Sequence, residues 1–115
     1  MLNYSHDNLE KKTIAFVEKE LNHNVAVVLY FYNDNCAPCI SLRPKVEKLV
    51  ADKFPMIHLL WINSLVNPEI PANFGVFANP AILLFFEGKE FKRFSKYISI
   101  DELSDSISRY YSLVF

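Results

Sequence analysis

A chain of 115 residues that is 51% hydrophobic has the size and apolar content for a single domain, residues 1–115, built around one core, and is too apolar for a disordered segment. The formal net charge is −1 and no basic block or stripe occurs, which argues against nucleic acid and anionic membrane as partners. Residues 1–20 lack the basic start and unbroken apolar stretch of a signal peptide, and the longest apolar run is too short to span a bilayer, so a cytoplasmic location is expected.

Residues 7–21 read as an amphipathic helix, with Leu9, Ile14, Phe16, Val17 and Leu21 near helical spacing. Residues 25–32 are continuously apolar and rich in β-branched and aromatic side chains, as in a strand covered on both faces. Residues 38–53 form the next helix, with Leu42, Val46, Leu49 and Val50 on one stripe and Pro44 inside it, where a kink is expected. Residues 57–62 read as a second buried strand.

Asn67-Pro68 opens a short helical piece with proline at its first position, and Gly75 suits a left-handed exit. Residues 81–86 form a third strand, which Glu87-Gly88-Lys89 turns back into a hairpin with residues 90–95. Ser99-Ile100-Asp101-Glu102 has the capping-box form. It starts a last helix whose expected buried stripe is Leu103, Ile107, Tyr110, Tyr111 and Val114. This order gives an α/β, three-layer α/β/α sandwich with a central mixed sheet.

Cys36-Ala37-Pro38-Cys39 carries the chemistry. These are the two cysteines of the chain, three positions apart, directly after the apolar strand, so both sulfurs fall in the first turn of a helix. A free thiol titrates near ~8.5 and is mostly protonated at neutral pH. A helix N-terminus contributes up to about 2 kcal/mol toward a partly buried anion, which lowers that value by ~1.5 units. Cys36 is the expected attacking thiolate, and Cys39, deeper in the helix, the thiol that resolves the mixed disulfide. Pro38 holds the turn rigid. Asp34 opposes the thiolate if its carboxylate lies close. A zinc site is the plain alternative for a cysteine pair. Such a site needs four ligands, and His6, His23 and His58 are scattered, so no metal is expected. His58 reads as a hydrogen-bonded core residue and Trp61 as a packing aromatic.

From about residue 25 to residue 103 the chain resembles the thioredoxin family. The resemblance rests on the strand entering Cys36-Ala37-Pro38-Cys39, on Pro44 and on Asn67-Pro68 through Phe74-Gly75. Pro80 before a strand and the Gly88 hairpin turn complete it. It implies the thioredoxin fold and disulfide oxidoreductase activity, and a first strand that is short, around residues 2–4, or missing. It also implies protein disulfide substrates, thioredoxin reductase as electron donor, and no cofactor beyond the redox-active Cys36–Cys39 disulfide.

Departures cluster at the cysteines. Asn35 and Ala37 stand where the family usually has Trp and Gly, Tyr30 where it has a buried Asp, and Trp61 where it has a Lys. A neutral phenol at Tyr30 is a poor proton acceptor for Cys39, so slow, pH-dependent resolution is expected. The resemblance further implies a cis Asn79–Pro80 bond beside the cysteines and makes Ala78, Asn79 and Pro80 substrate contacts. Two other readings stand beside the reductase. One is a thioredoxin-fold adaptor that binds proteins with little turnover, and the other is an oxidase or isomerase in an oxidising compartment.

Overall fold

The computed structural model describes residues 11–115. The expected strand at residues 2–4 and the start of the helix at residues 7–10 lie outside them. Helix α1, Ile14–His23, opens at Thr13, whose hydroxyl accepts the Phe16 N–H at 3.0 Å. A side-chain oxygen there satisfies one of the amides that a helix start leaves without a partner. Val17 and Leu21, one turn apart, are its buried face.

Strand β1, Ala26–Tyr32, is buried at every position. It lies inside a four-stranded sheet of order β2-β1-β3-β4 among the described residues. It runs parallel to β2, His58–Asn63, and antiparallel to β3, Ala81–Phe86. β3 in turn pairs antiparallel with β4, Lys89–Ser95. Glu87 (φ 53°) and Gly88 (φ 81°) both take left-handed backbone in the connecting turn, the combination that follows the natural twist of a hairpin.

The pleat sends alternate residues of β1 into two cores. Val28, Tyr30 and Tyr32 meet helix α2, Ala37–Lys53, through Leu42, Val46 and Leu49, and helix α4, Ile100–Val114, through Leu103 and Ile107. Val27, Leu29 and Phe31 meet α1 through Val17 and Leu21, and the short α3, Glu69–Phe74, through Ile70. Three layers result. α2 runs unbroken through Pro44.

Three expectations change. β2 is half-buried rather than buried, with His58, Leu59 and Trp61 partly exposed, because among the described residues it stands at the sheet edge. Pro68 caps α3 instead of occupying its first turn, while Gly75 takes the left-handed exit as expected (φ 68°). The buried stripe of α4 ends at Ile107. Tyr110 stacks on Phe86 at 5.6 Å, Tyr111 meets the ring of Phe54 at 5.1 Å, and Val114 is exposed, since α4 outruns the sheet beneath it.

Leu103 is fully buried against the sheet. Leu103→Ala is expected to lower unfolding free energy by about 2–5 kcal/mol, and Leu113→Ala, on an exposed position, by less than about 0.5 kcal/mol. Urea denaturation midpoints measure both.

Candidate active site

β1 ends at Tyr32, and a polar turn carries the chain to α2. The Asn35 N–H donates to Asn33 Oδ1 at 2.8 Å, which closes the turn locally. Cys36 has extended backbone and is the N-cap residue of α2, with Ala37 and Pro38 in the first helical turn. Pro38 costs no hydrogen bond there, because amides of the first turn have no intrahelical partner. The Cys39 N–H instead donates to Cys36 Sγ at 3.2 Å. The two cysteines form a disulfide, with Cα atoms 5.2 Å apart.

The two sulfurs are not equivalent. Cys36 is half-buried, and Cys39 is buried in the core beneath α2. Asn35, Ala37 and Pro38 are exposed around Cys36. Cys36 is therefore the more accessible of the two. In the reduced protein the same Cys39 N–H and the α2 dipole favour a thiolate at Cys36. Asp34 is exposed, and its Oδ2 accepts from Asn63 Nδ2 at 3.5 Å.

Tyr30 lies under the helix start, fully buried, and its hydroxyl donates to the Cys39 carbonyl at 2.7 Å. Burial is the main cause that pushes its pKa up to about 12, against a smaller lowering by the Arg43 guanidinium. At neutral pH the phenol is thus a donor and holds its proton. Trp61, directly opposite on β2, meets the Tyr30 ring edge-on at 4.7 Å. Arg43 caps this stack, with its guanidinium 4.2 Å from the Trp61 ring and 5.3 Å from that of Tyr32.

Across from α2, the Asn79–Pro80 bond is cis. Pro80 is buried, and its carbonyl accepts the Lys96 N–H at 2.8 Å. Asn79 is half-buried, and its Oδ1 accepts from Ser64 Oγ at 3.2 Å. Ala78 is half-buried beside the strongly exposed Phe77. Pro38 and Pro80 line one groove, so the cysteine turn and the cis proline are neighbours in space.

His58 stands apart. Its Nε2 meets Glu20 Oε1 at 2.8 Å, so the expected hydrogen bond is present, but the ring is partly exposed beside α1 rather than in the core. Among the described residues no cluster of His, Cys, Asp and Glu has the arrangement of a metal site. Arg43, Ser64 and Lys96 went unnoticed in the sequence. For Arg43 a signal exists, since a residue four positions after Cys39 on a helix lies on the same face. Ser64 and Lys96 reach the site by tertiary folding alone.

The thioredoxin family model matches residues 8–109. A thioredoxin-like protein of Bacillus subtilis, YdfQ, is 29% identical over 101 residues, which cover 88% of this chain and 89% of that one. A thioredoxin of Rickettsia bellii is 32% identical over 76 residues, covering 66% of this chain and 72% of that one. A solved point-mutant thioredoxin from Halobacterium salinarum superposes with a TM-score of 0.81 at 27% identity and covers 90% of both chains. A match of this length, with the paired cysteines at disulfide distance where β1 gives way to α2, means that the chain belongs to the thioredoxin family and is a thiol–disulfide oxidoreductase.

Proposed function

We propose that the protein works as a cytoplasmic reductase of protein disulfides, cycling between the Cys36–Cys39 dithiol and disulfide. The observation that carries this reading is the asymmetry of the pair, with one sulfur approachable at a helix N-terminus and its partner buried. The near-neutral charge supports a protein substrate over nucleic acid or a membrane surface. No helix among the described residues is long and apolar enough to cross a membrane.

In the forward half-reaction, the Cys36 thiolate attacks one sulfur of a substrate disulfide. The substrate S–S bond breaks, and its other sulfur leaves as a thiolate that takes a proton from water. Cys39 gives its proton to water and attacks Cys36 Sγ, the Cys36–substrate S–S bond breaks, and the second substrate sulfur leaves as a thiolate that takes a proton from water. The substrate has then gained two electrons and two protons, and the protein is left in the oxidised form described here. A separate donor must return the two electrons, and thioredoxin reductase is the donor this family reading names. No resident cofactor enters the cycle. Ala78 and Asn79, beside Pro80, would align an extended substrate segment by backbone pairing.

Cys36→Ser is expected to abolish dithiothreitol-driven reduction of a protein disulfide, and Cys39→Ser to accumulate a mixed disulfide visible by mass spectrometry. A parent protein no faster than dithiothreitol alone would leave the adaptor reading in its place.

Tyr30 governs two further outcomes. Its phenol cannot take the Cys39 proton at neutral pH, so the mixed disulfide should decay more slowly, and with a steeper pH dependence, than in Tyr30→Asp. Stopped-flow decay across neutral pH decides this, and equal rates would remove the idea. Folding stability carries the second outcome. Between pH 10 and about 12 the native state keeps a proton that the unfolded chain releases, so stability falls as pH rises through this window. Tyr30→Phe should show a shallower alkaline decline in denaturation midpoint, from a start about 1 kcal/mol lower for the lost hydrogen bond.

A further inference from the structure

A groove of about 430 Å³ opens beside the disulfide. One wall is the first two turns of α2, with Pro38, Ser41 and Lys45, and the floor is Pro80. The other wall is the connection from β4 to α4, with Lys96 and Tyr97. No acidic side chain lines it.

Lys48 is paired with Asp52 at 2.8 Å, Arg43 faces Glu47 at 3.9 Å, and Arg93 is held by Glu90 at 2.6 Å. Lys45 and Lys96 are exposed, and neither takes part in an ion pair among the described residues. Lys96 also has left-handed backbone (φ 67°), which a side-chain-bearing residue adopts only at a steric cost. Its N–H bond to the Pro80 carbonyl at 2.8 Å holds it there. The ring of Tyr97, 96% exposed, stands next to it without apparent packing duty. The connection thus holds a cation and an aromatic face beside the groove that Pro38 and Pro80 line.

Resting on the reductase reading, we propose that this groove docks extended substrate segments that carry carboxylates next to their disulfide, with Lys45 and Lys96 as the specificity-determining cations. Lys45 from α2 and Lys96 from the connection to α4 both line the groove and give it positive charge. A segment with Asp or Glu flanking its cystine places its charges against both walls while its sulfur meets Cys36. Tyr97 adds a face for an apolar neighbour in the same segment. Such rim charges act mainly on encounter rate and on the choice between partners.

The test uses the reduced full chain and two cyclic disulfide peptides of equal length, one with glutamates and one with lysines beside the cystine. Stopped-flow reduction at low salt is expected to favour the acidic peptide at least threefold or so, and the advantage should shrink as salt rises. The double variant Lys45→Gln with Lys96→Gln should bring the ratio of the two rates toward one. A control of the same net charge, Lys19→Gln with Lys89→Gln, should keep the parent ratio. Equal rates on the two peptides in the parent, or an unchanged ratio in the groove variant, would overturn the proposal. Hydroxyethyl disulfide, small and uncharged, separates the two claims in the parent protein. Its reduction together with equal peptide rates sinks only the groove, while its failure to react together with two unreacted peptides sinks the reductase reading as well.

Discussion

The complete burial of β1 on both faces is the constraint on which the rest of the molecule depends. Seven consecutive side chains from Ala26 to Tyr32 are shielded from water, with odd and even positions committed to different cores. A slip of one residue would exchange the two sets, driving Tyr30 into the core that Val17 and Ile70 fill. The register is therefore fixed, and with it the point where the strand runs out. Four polar or small residues later the chain has to begin α2, and the residue that caps this helix is Cys36. The position of the reactive sulfur is a consequence of strand packing rather than of any contact the sulfur itself makes.

A second consequence is the unusual floor of the site. Tyr30 points into the α2-facing core, directly below the helix start, and fills the space with a ring. A charge there would need a buried partner, since an isolated ion in an apolar site is strongly disfavoured. Ring packing removes that need. Trp61 meets Tyr30 edge-on, and Arg43 lies over the Trp61 face with Glu47 within 3.9 Å. The phenol spends its single donor on the Cys39 carbonyl, tying the first turn of α2 to the sheet. The site has gained a rigid anchor and given up a group that titrates near neutral pH. Packing and proton transfer compete for the same volume here, and packing has taken it.

Features decided by short-range chemistry were legible in the residue order. The run from Val25 to Tyr32, the Ser99 cap, the Gly75 exit and the cysteine pair each rest on neighbours within a few positions, where propensity and spacing act directly. The cis bond at Asn79–Pro80 was legible only through family resemblance, since nothing local to a proline selects that isomer. His58 was misread because an alternating strand does not announce whether a further strand flanks it, and at the edge of the described sheet the ring turns to Glu20. Val114 was misread because helical spacing says which face is apolar and not how far the supporting sheet extends. Arg43 on Trp61 and Ser64 on Asn79 join residues 18 and 15 positions apart through the fold, and no pattern within one element encodes such pairs.

The same division separates reaction from recognition. Cys36 sits among backbone features, a helix terminus and its amides, which many sequences can supply once the fold is in place. Under the proposed docking, partner choice would fall to side chains on the connections, which the core does not constrain. Lys96 joins the two. A residue in left-handed backbone is a local liability that a glycine would relieve, yet here its amide is fixed by the Pro80 carbonyl, so the backbone that carries its side chain is tied to the cis proline. A connection held this way has little backbone ordering left to do if a substrate segment docks on it, while the exposed Lys96 side chain keeps its own freedom.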